Sequence, residues 1–218
     1  IKVTDIDEYV CDKYASRGDD ESQYGVTRIC DDICDGCRSI ASIVFEVASG
    51  GFEPETLTYA QPRIIVIPNS GTTIGLCALD GCTSLATIVI PESVTTIGNF
   101  AFRGCTSLAT IEIPNSVTTI GHTAFCGCSY LKSIDIPGSV TTIRTGAFRE
   151  CTSLATIVIP NSITTIGGLA FYGCSRLKSI LIPNSVTTIG TGAFLYCTAL
   201  ATIVIPNSIK TIGRGAFW

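Results

Sequence analysis

Apolar and polar side chains alternate in short segments that return every 23 residues along most of this chain. In the segment 108–113, with the sequence LATIEI, apolar residues fall at alternate positions. Alternation with a period of two predicts a short β-strand in which Ile111 and Ile113 point inward. Thr110 and Glu112 then point outward. The proline that follows has no amide N–H, so the predicted strand ends there.

A second, shorter extended segment follows in each repeat. Residues 115–116 (NS) form a predicted turn, after which Val117 and Ile120 are again inward positions. Gly121 permits a tight corner because glycine has no Cβ. Residues 124–125 (AF) return the chain to the core. Each repeat is therefore predicted to be one turn of a regular stack.

Two further residue types keep the period of 23. The prolines stand at Pro68, Pro91, Pro114, Pro137, Pro160, Pro183 and Pro206. The cysteines stand at Cys82, Cys105, Cys128, Cys151, Cys174 and Cys197. A fixed period of this length is typical of a solenoid, in which each turn contacts its neighbours.

The repeats divide the chain into two regions. Residues 63–218 are regular repeats, whereas residues 1–62 are diverged repeats with a degenerate turn predicted at 46–61. Residues 1–55 hold 13 acidic and 5 basic side chains. We expect this acidic region to be a solvated end or a second contact for a partner. The final turn stops in mid-repeat at Trp218, so we expect that end to be truncated or covered by a partner.

One consensus describes the regular turns. The pattern L-x-x-I-x-I-P-x-S-V-T-x-I-G-x-x-A-F-x-x-C is matched, with small variations, at 85–105, 108–128, 131–151, 154–174 and 177–197. Arg144 departs from it at the usual glycine. The consensus resembles the BspA-like leucine-rich repeat, which is also known from a Treponema surface protein.

The resemblance implies a leucine-rich-repeat solenoid, right-handed and horseshoe-like, with a parallel β-sheet on one face and little helix. It also implies a surface or secreted protein with an adhesion or protein-binding role, although a fold alone does not fix function. An intracellular or organellar assembly is the alternative, and the sequence leaves the compartment open.

The N-terminal cysteines allow several interpretations. Cys11 and Cys34 are one period apart and are predicted to stack about 5 Å apart, within disulfide range. Cys30, Cys34 and Cys37 have a spacing used by iron–sulfur proteins, and Cys11 could complete a zinc site. The repeat explains them more simply, because Cys37 lies at the cysteine position and Cys34 replaces the core phenylalanine. We therefore predict no metal and no cofactor.

The remaining cysteines fall into two groups. Those at the repeat position are predicted to be reduced and buried, because their side chains point in parallel into a packed core. Cys77 and Cys126 lie at variable positions and are expected to be exposed.

No catalytic constellation is recognisable. His122 is the only histidine, and the repeat places no nucleophile beside it. The tripeptide at 17–19 (RGD) is of the integrin-binding type, but three residues match too easily by chance. No apolar run approaches the roughly 18 residues of a membrane span. No basic stripe indicates nucleic-acid binding.

The outward positions of the predicted strands are the candidate binding site, here called the strand face. They are Val89, Glu112, Asp135, Val158, Leu181 and Val204, bordered by Lys132 and Lys178. Otherwise identical turns differ at these positions, as expected of a binding face, and the last three form an apolar run that needs cover. A half-solvated sheet without a partner is the alternative interpretation.

We therefore expect a non-enzymatic module for protein–protein interaction or adhesion that binds a protein partner through the strand face. A structural subunit embedded in a larger assembly is a second hypothesis. Ice binding is a third, because a Thr-Thr pair recurs in each turn and its rungs would be about 4.8 Å apart.

Overall fold

The expected solenoid is confirmed by a computed structural model. It describes residues 71–218 continuously, together with 28–29, 42–44, 64–67 and 69. These residues form about six turns of parallel strands, and the described part of the chain contains no helix. The possible disulfide between Cys11 and Cys34 and the degenerate turn at 46–61 lie outside the described residues.

Two kinds of short strand alternate along the chain. The three-residue strands are β2 (Ser42–Val44), β3 (Ile64–Val66), β5 (Thr87–Val89), β8 (Ser133–Asp135) and β10 (Thr156–Val158). The two-residue strands are β1 (Arg28–Ile29), β4 (Thr73–Ile74), β6 (Thr96–Ile97), β7 (Thr119–Ile120), β9 (Thr142–Ile143), β11 (Thr165–Ile166), β12 (Thr188–Ile189) and β13 (Thr211–Ile212).

The three-residue strands form the first ladder, which carries the strand face. Strands β2, β3 and β5 pair in parallel, as do β8 and β10, and Leu181 forms a bridge with Val204. Isoleucines pair with isoleucines, as Ile134 does with Ile157. The flanking outward residues are exposed because successive side chains of a strand point to opposite sides.

The two-residue strands form the second ladder, so the shorter extended segment expected from the sequence is itself hydrogen-bonded between turns. Its sheets have the orders β1-β4-β6-β7 and β13-β12-β11-β9. Strands β4 and β6 pair 23 residues apart, Thr73 with Thr96. Strand β1 pairs with β4 at a distance of 45 residues, Arg28 with Thr73.

The core consists of columns of identical side chains. Phenylalanine rings of successive turns are stacked with centroids 5.1 Å apart for Phe102 and Phe125 and 5.6 Å apart for Phe125 and Phe148. Most leucines, alanines and isoleucines at the other inward positions are buried as well, whereas in the last turn Ile205 and Ile212 are exposed. Because the turns before it bury nearly the same set, the core continues from one turn to the next.

The periodic cysteines are buried thiols, and no disulfide joins any of the described cysteines. The Cys151 thiol donates to the carbonyl oxygen of Phe125 at 3.1 Å, and Cys174 does the same to Phe148 at 3.2 Å. Burial raises the pKa of both thiols well above the ordinary value. Cys77 and Cys126 are half-buried rather than exposed.

Each turn also contains left-handed corners. After the Ala-Phe pair, the corner residue is usually glycine, as at Gly104 and Gly127, with φ of 71° and 73°. Glu150 and Tyr196 occupy the same corner with φ of 60° and 62°. Side chains with a Cβ are strained in this region by roughly 1–2 kcal/mol, so these two corners carry local backbone strain.

The second ladder is interrupted where Arg144 replaces the usual glycine. Strands β7 and β9 belong to different sheets. Other turns are joined by bonds such as Gly121 N–H to Ile97 O at 2.8 Å and Gly167 N–H to Ile143 O at 2.7 Å. No equivalent bond joins Arg144 to Ile120 within this continuously described part.

The cause of this interruption is the Cβ atom. An added Cβ at Gly98 would lie 2.7 Å from the carbonyl carbon of Gly75, and one at Gly167 would lie 2.6 Å from the amide nitrogen of Thr145. The glycine therefore lets successive backbones approach closely. Arg144 has a Cβ, so the backbone at this corner cannot approach the preceding turn in this way, although other bonds, such as Thr123 N–H to Thr145 O, still join the two turns.

The first ladder is also open near this point. The strand predicted at 108–113 forms no ladder pairing over 110–112, although Ile111 is buried and Glu112 is exposed as expected. Glu112 and Asp135 would be neighbours on adjacent rungs, and like charges in such positions disfavour pairing.

Candidate interaction surface

The strand face is exposed along its whole described length. Its apolar members are prominent, with exposed fractions of 52% for Val89, 62% for Val158, 76% for Leu181 and 71% for Val204. The backbone fixes this exposure, because the isoleucine between two outward residues is buried in the same strand. Apolar side chains in a row favour contact with another surface.

The acidic members of the strand face border a shallow, open groove. It lies between the turn that carries Glu112 and the turn that carries Asp135, and it is lined by residues 110–113 and 133–135. The ion pairs found among the described residues involve neither carboxylate. Both side chains are thus available to a basic group of a partner.

Lysines precede the outward residues of two turns of the same face. Lys132 and Lys178 are exposed and precede the outward Ser133 and Ser179. The backbone of Lys132 belongs to the ladder, because its N–H donates to Ala109 O at 3.1 Å and its carbonyl accepts from Ala155 N–H at 3.0 Å. The backbone of Lys132 therefore has a fixed position at the edge of the strand face.

Two exposed residues near these lysines were not singled out from the sequence. Tyr130, with an exposed fraction of 64%, and Arg176 lie two positions before Lys132 and Lys178. The sequence does distinguish these two turns, because they have the pattern C-S-x-L-K-S where the neighbouring turns have C-T-S-L-A-T. A tyrosine and an arginine are both common anchors in protein interfaces.

The chain matches a known family along most of its length. The model of the BspA type leucine rich repeat region matches residues 52–176 and 125–218, with 6 copies of the repeat. This chain belongs to the BspA-type leucine-rich repeat family. A comparison with curated protein sequences gives no match.

Solved structures of bacterial leucine-rich repeat proteins are similar to this BspA-type chain. TpLRR of T. pallidum is 34% identical, with a TM-score of 0.67, over 71% of this chain and 77% of that one. A protein of Eubacterium ventriosum is 33% identical, with a TM-score of 0.67, over 72% of this chain and 43% of that one. The present chain thus spans less than half of that relative.

A third relative is described as a cell surface protein. The leucine rich cell surface protein of Faecalibacterium prausnitzii is 34% identical, with a TM-score of 0.54, over 65% of this chain and 47% of that one. The resemblance inferred from the sequence consensus is therefore confirmed for family and for fold.

The threonines of this BspA-type repeat line the second ladder. The exposed hydroxyl groups of Thr95, Thr118, Thr164 and Thr187 donate to threonine carbonyls one turn earlier at 3.3 Å. Thr141 makes no such bond, because the interruption at Arg144 separates it from Thr118. The threonine array is therefore divided into two parts, which leaves little regular surface for ice binding.

A polar column runs along one corner of the stack. Arg103 forms an ion pair with Asp80 one turn earlier, and this hydrogen bond raises the pKa of Arg103. Arg149 lies 4.9 Å from the ring centre of Tyr172 one turn later. Both guanidinium groups thus have a partner within the chain, in Asp80 for Arg103 and in the ring of Tyr172 for Arg149.

Among the described residues of this BspA-type chain, no group of three or more His, Cys, Asp or Glu side chains is arranged to hold a metal ion. His122 is exposed, and its Nε2 lies 3.5 Å from Arg144. No helix long and apolar enough to cross a membrane occurs in that part of the chain.

Proposed function

We propose that this chain is a non-enzymatic module for protein–protein interaction or adhesion, and that it binds a protein partner through the strand face. The observation that carries the proposal is the exposure of Val158, Leu181 and Val204 in consecutive turns. Exposed apolar side chains aligned in this way cost free energy in water, and a protein surface that covers them recovers it.

Charge adds specificity to this apolar surface. Glu112 and Asp135 flank the groove on one side of the apolar run, whereas Lys132 and Lys178 border its edge. A partner must therefore present apolar side chains together with charges in matching positions. Membership of a family with cell-surface relatives supports an adhesive role.

Affinity capture with strand-face variants tests this proposal. The wild-type chain, immobilised on beads, is expected to retain a defined set of proteins from an extract of its source. The substitution Leu181→Asp should abolish this retention, because it places a charge in the centre of the apolar run.

The matched control is Leu76→Asp. Leu76 is also an exposed leucine, with an exposed fraction of 48%, but it lies at a corner outside the strand face. Its substitution should leave the retained set unchanged. Retention of the same proteins by wild type and Leu181→Asp would show that binding uses another surface.

A further inference from the structure

We infer that the strand face pairs with itself, so that two copies of this chain pack face to face with their strands antiparallel. The outward residues that one turn contributes to the strand face are here called a rung. Each rung then lies opposite the same rung of the other copy. The inference rests on the proposed function, because it names a partner for the same surface. A two-fold axis parallel to the stack of turns relates the two copies.

The charged rung is self-complementary under this symmetry. Lys132 begins the rung and Asp135 ends it, so the two residues are three positions and roughly 10 Å apart along the strand. When two such rungs oppose each other in antiparallel fashion, Lys132 of one copy faces Asp135 of the other. Both reciprocal ion pairs form at once, and among the described residues neither the Asp135 carboxylate nor the Lys132 ammonium group has an ion-pair partner.

The apolar rungs complement themselves in the same way. Rungs that end in the outward Val89, Val158 and Val204 begin with the small residues Ala86, Ala155 and Ala201. Antiparallel apposition therefore places each valine opposite an alanine of the second copy. Large side chains facing small ones let two sheets interdigitate.

The two remaining rungs differ from this pattern. Leu181 lies opposite Lys178 of the second copy, whose aliphatic stem can cover it while the ammonium group stays in water. Glu112 lies opposite Ala109 and beside the open groove, where its carboxylate keeps its hydration. Neither rung places like charges opposite each other.

The size of the surface sets the strength of the dimer. Six rungs at about 4.8 Å span roughly 24 Å, and each presents three to four residues of strand, or about 10–13 Å. This footprint is smaller than the roughly 800 Å² per partner of a standard stable interface. The dimer is therefore weak and depends on protein concentration.

Sedimentation velocity over a concentration series tests the inference. The wild-type chain should pass from monomer to dimer as its concentration rises. Lys132→Asp and Asp135→Lys should each weaken the dimer by about three- to tenfold, because each creates two like-charge contacts. The double variant Lys132→Asp/Asp135→Lys should restore wild-type association, since both ion pairs re-form with reversed sign.

Two controls separate self-pairing from general effects of charge and of folding. Lys210→Asp changes the net charge as Lys132→Asp does, but Lys210 lies beside the second ladder and its substitution should leave association unchanged. Circular dichroism of each variant should match the wild type, because all three positions are exposed.

A monomer at every concentration, or a double variant as weak as the two single ones, would overturn self-pairing. Such a result would not contradict the proposed function. The capture experiment with Leu181→Asp tests that function separately, because it detects any protein partner of the strand face.

Discussion

Replacing Arg144 with glycine should close the interrupted second ladder. The usual glycine at this position lets each turn approach the one before it, and an added Cβ at Gly167 would lie only 2.6 Å from the backbone of the preceding turn. Arg144→Gly removes this obstacle. We then expect Thr141 and residue 144 to donate to the carbonyls of Thr118 and Ile120, as the equivalent residues do in other turns.

The magnitude follows from the bonds gained and the freedom lost. Two backbone hydrogen bonds contribute about 0.5–1.5 kcal/mol each. Against this, glycine costs roughly 0.5–1 kcal/mol in conformational entropy relative to a residue with a side chain. The net stabilisation is about 1 kcal/mol, which corresponds to a rise in Tm of about 2–4 °C for a chain of this size.

Hydrogen exchange gives a local measurement of the same change. The amides of residues 141 and 144 are expected to exchange roughly fivefold more slowly in Arg144→Gly than in the wild type, because opening of this ladder then costs about 1 kcal/mol more. The amide of Thr123, which already donates to Thr145 O at 2.9 Å in the wild type, should change little in its exchange rate.

Arg144→Ala is the matched control for this prediction. It removes the guanidinium group and the contact with His122 but retains the Cβ, so the ladder should stay open and the exchange rates should remain high. Equal protection in the alanine and glycine variants would refute the steric explanation, and would assign the interruption to the charge or length of the arginine side chain.

Three further predictions concern corners, core and thiols. Glu150→Gly and Tyr196→Gly should each raise the free energy of unfolding by roughly 1 kcal/mol, because both residues have positive φ. Gly104→Ala should lower it, because Gly104 also has positive φ. Thermal unfolding measures the stability of all three variants. Phe148→Ala should lower the free energy of unfolding by about 3–5 kcal/mol in a denaturant titration. The reason is that the ring is fully buried and is stacked on both sides, with ring centroids 5.6 Å apart. A loss below about 1 kcal/mol would contradict a continuous core. Burial raises the pKa of Cys197 from 9.0 to about 11, so the folded chain holds this proton more tightly than the unfolded chain, and stability should fall as pH rises from about 9 towards 11. Cys197→Ala should reduce that pH dependence, and an unchanged slope would show that other groups cause it.

The sequence alone predicted the architecture because the solenoid is local and periodic. The spacing of Pro114 from Pro137, and of Cys128 from Cys151, is the same 23 residues that separates paired strand residues in the structure. In a stack of equal turns the tertiary contacts repeat with the sequence, so the pattern of one turn predicts the inward positions of all of them. The exposure of Leu181 and Val204 was predicted in the same way.

Only the tertiary structure decided how well the turns fit one another. The consensus marks Arg144 as a departure, but the loss of pairing between β7 and β9 follows from how closely one backbone approaches the next. The strain at Glu150 depends on a backbone angle that the residue type does not reveal. The half-buried state of Cys126, which raises the pKa of its thiol, is likewise not visible in the residue type. These properties belong to contacts between turns, whereas the sequence pattern describes a single turn.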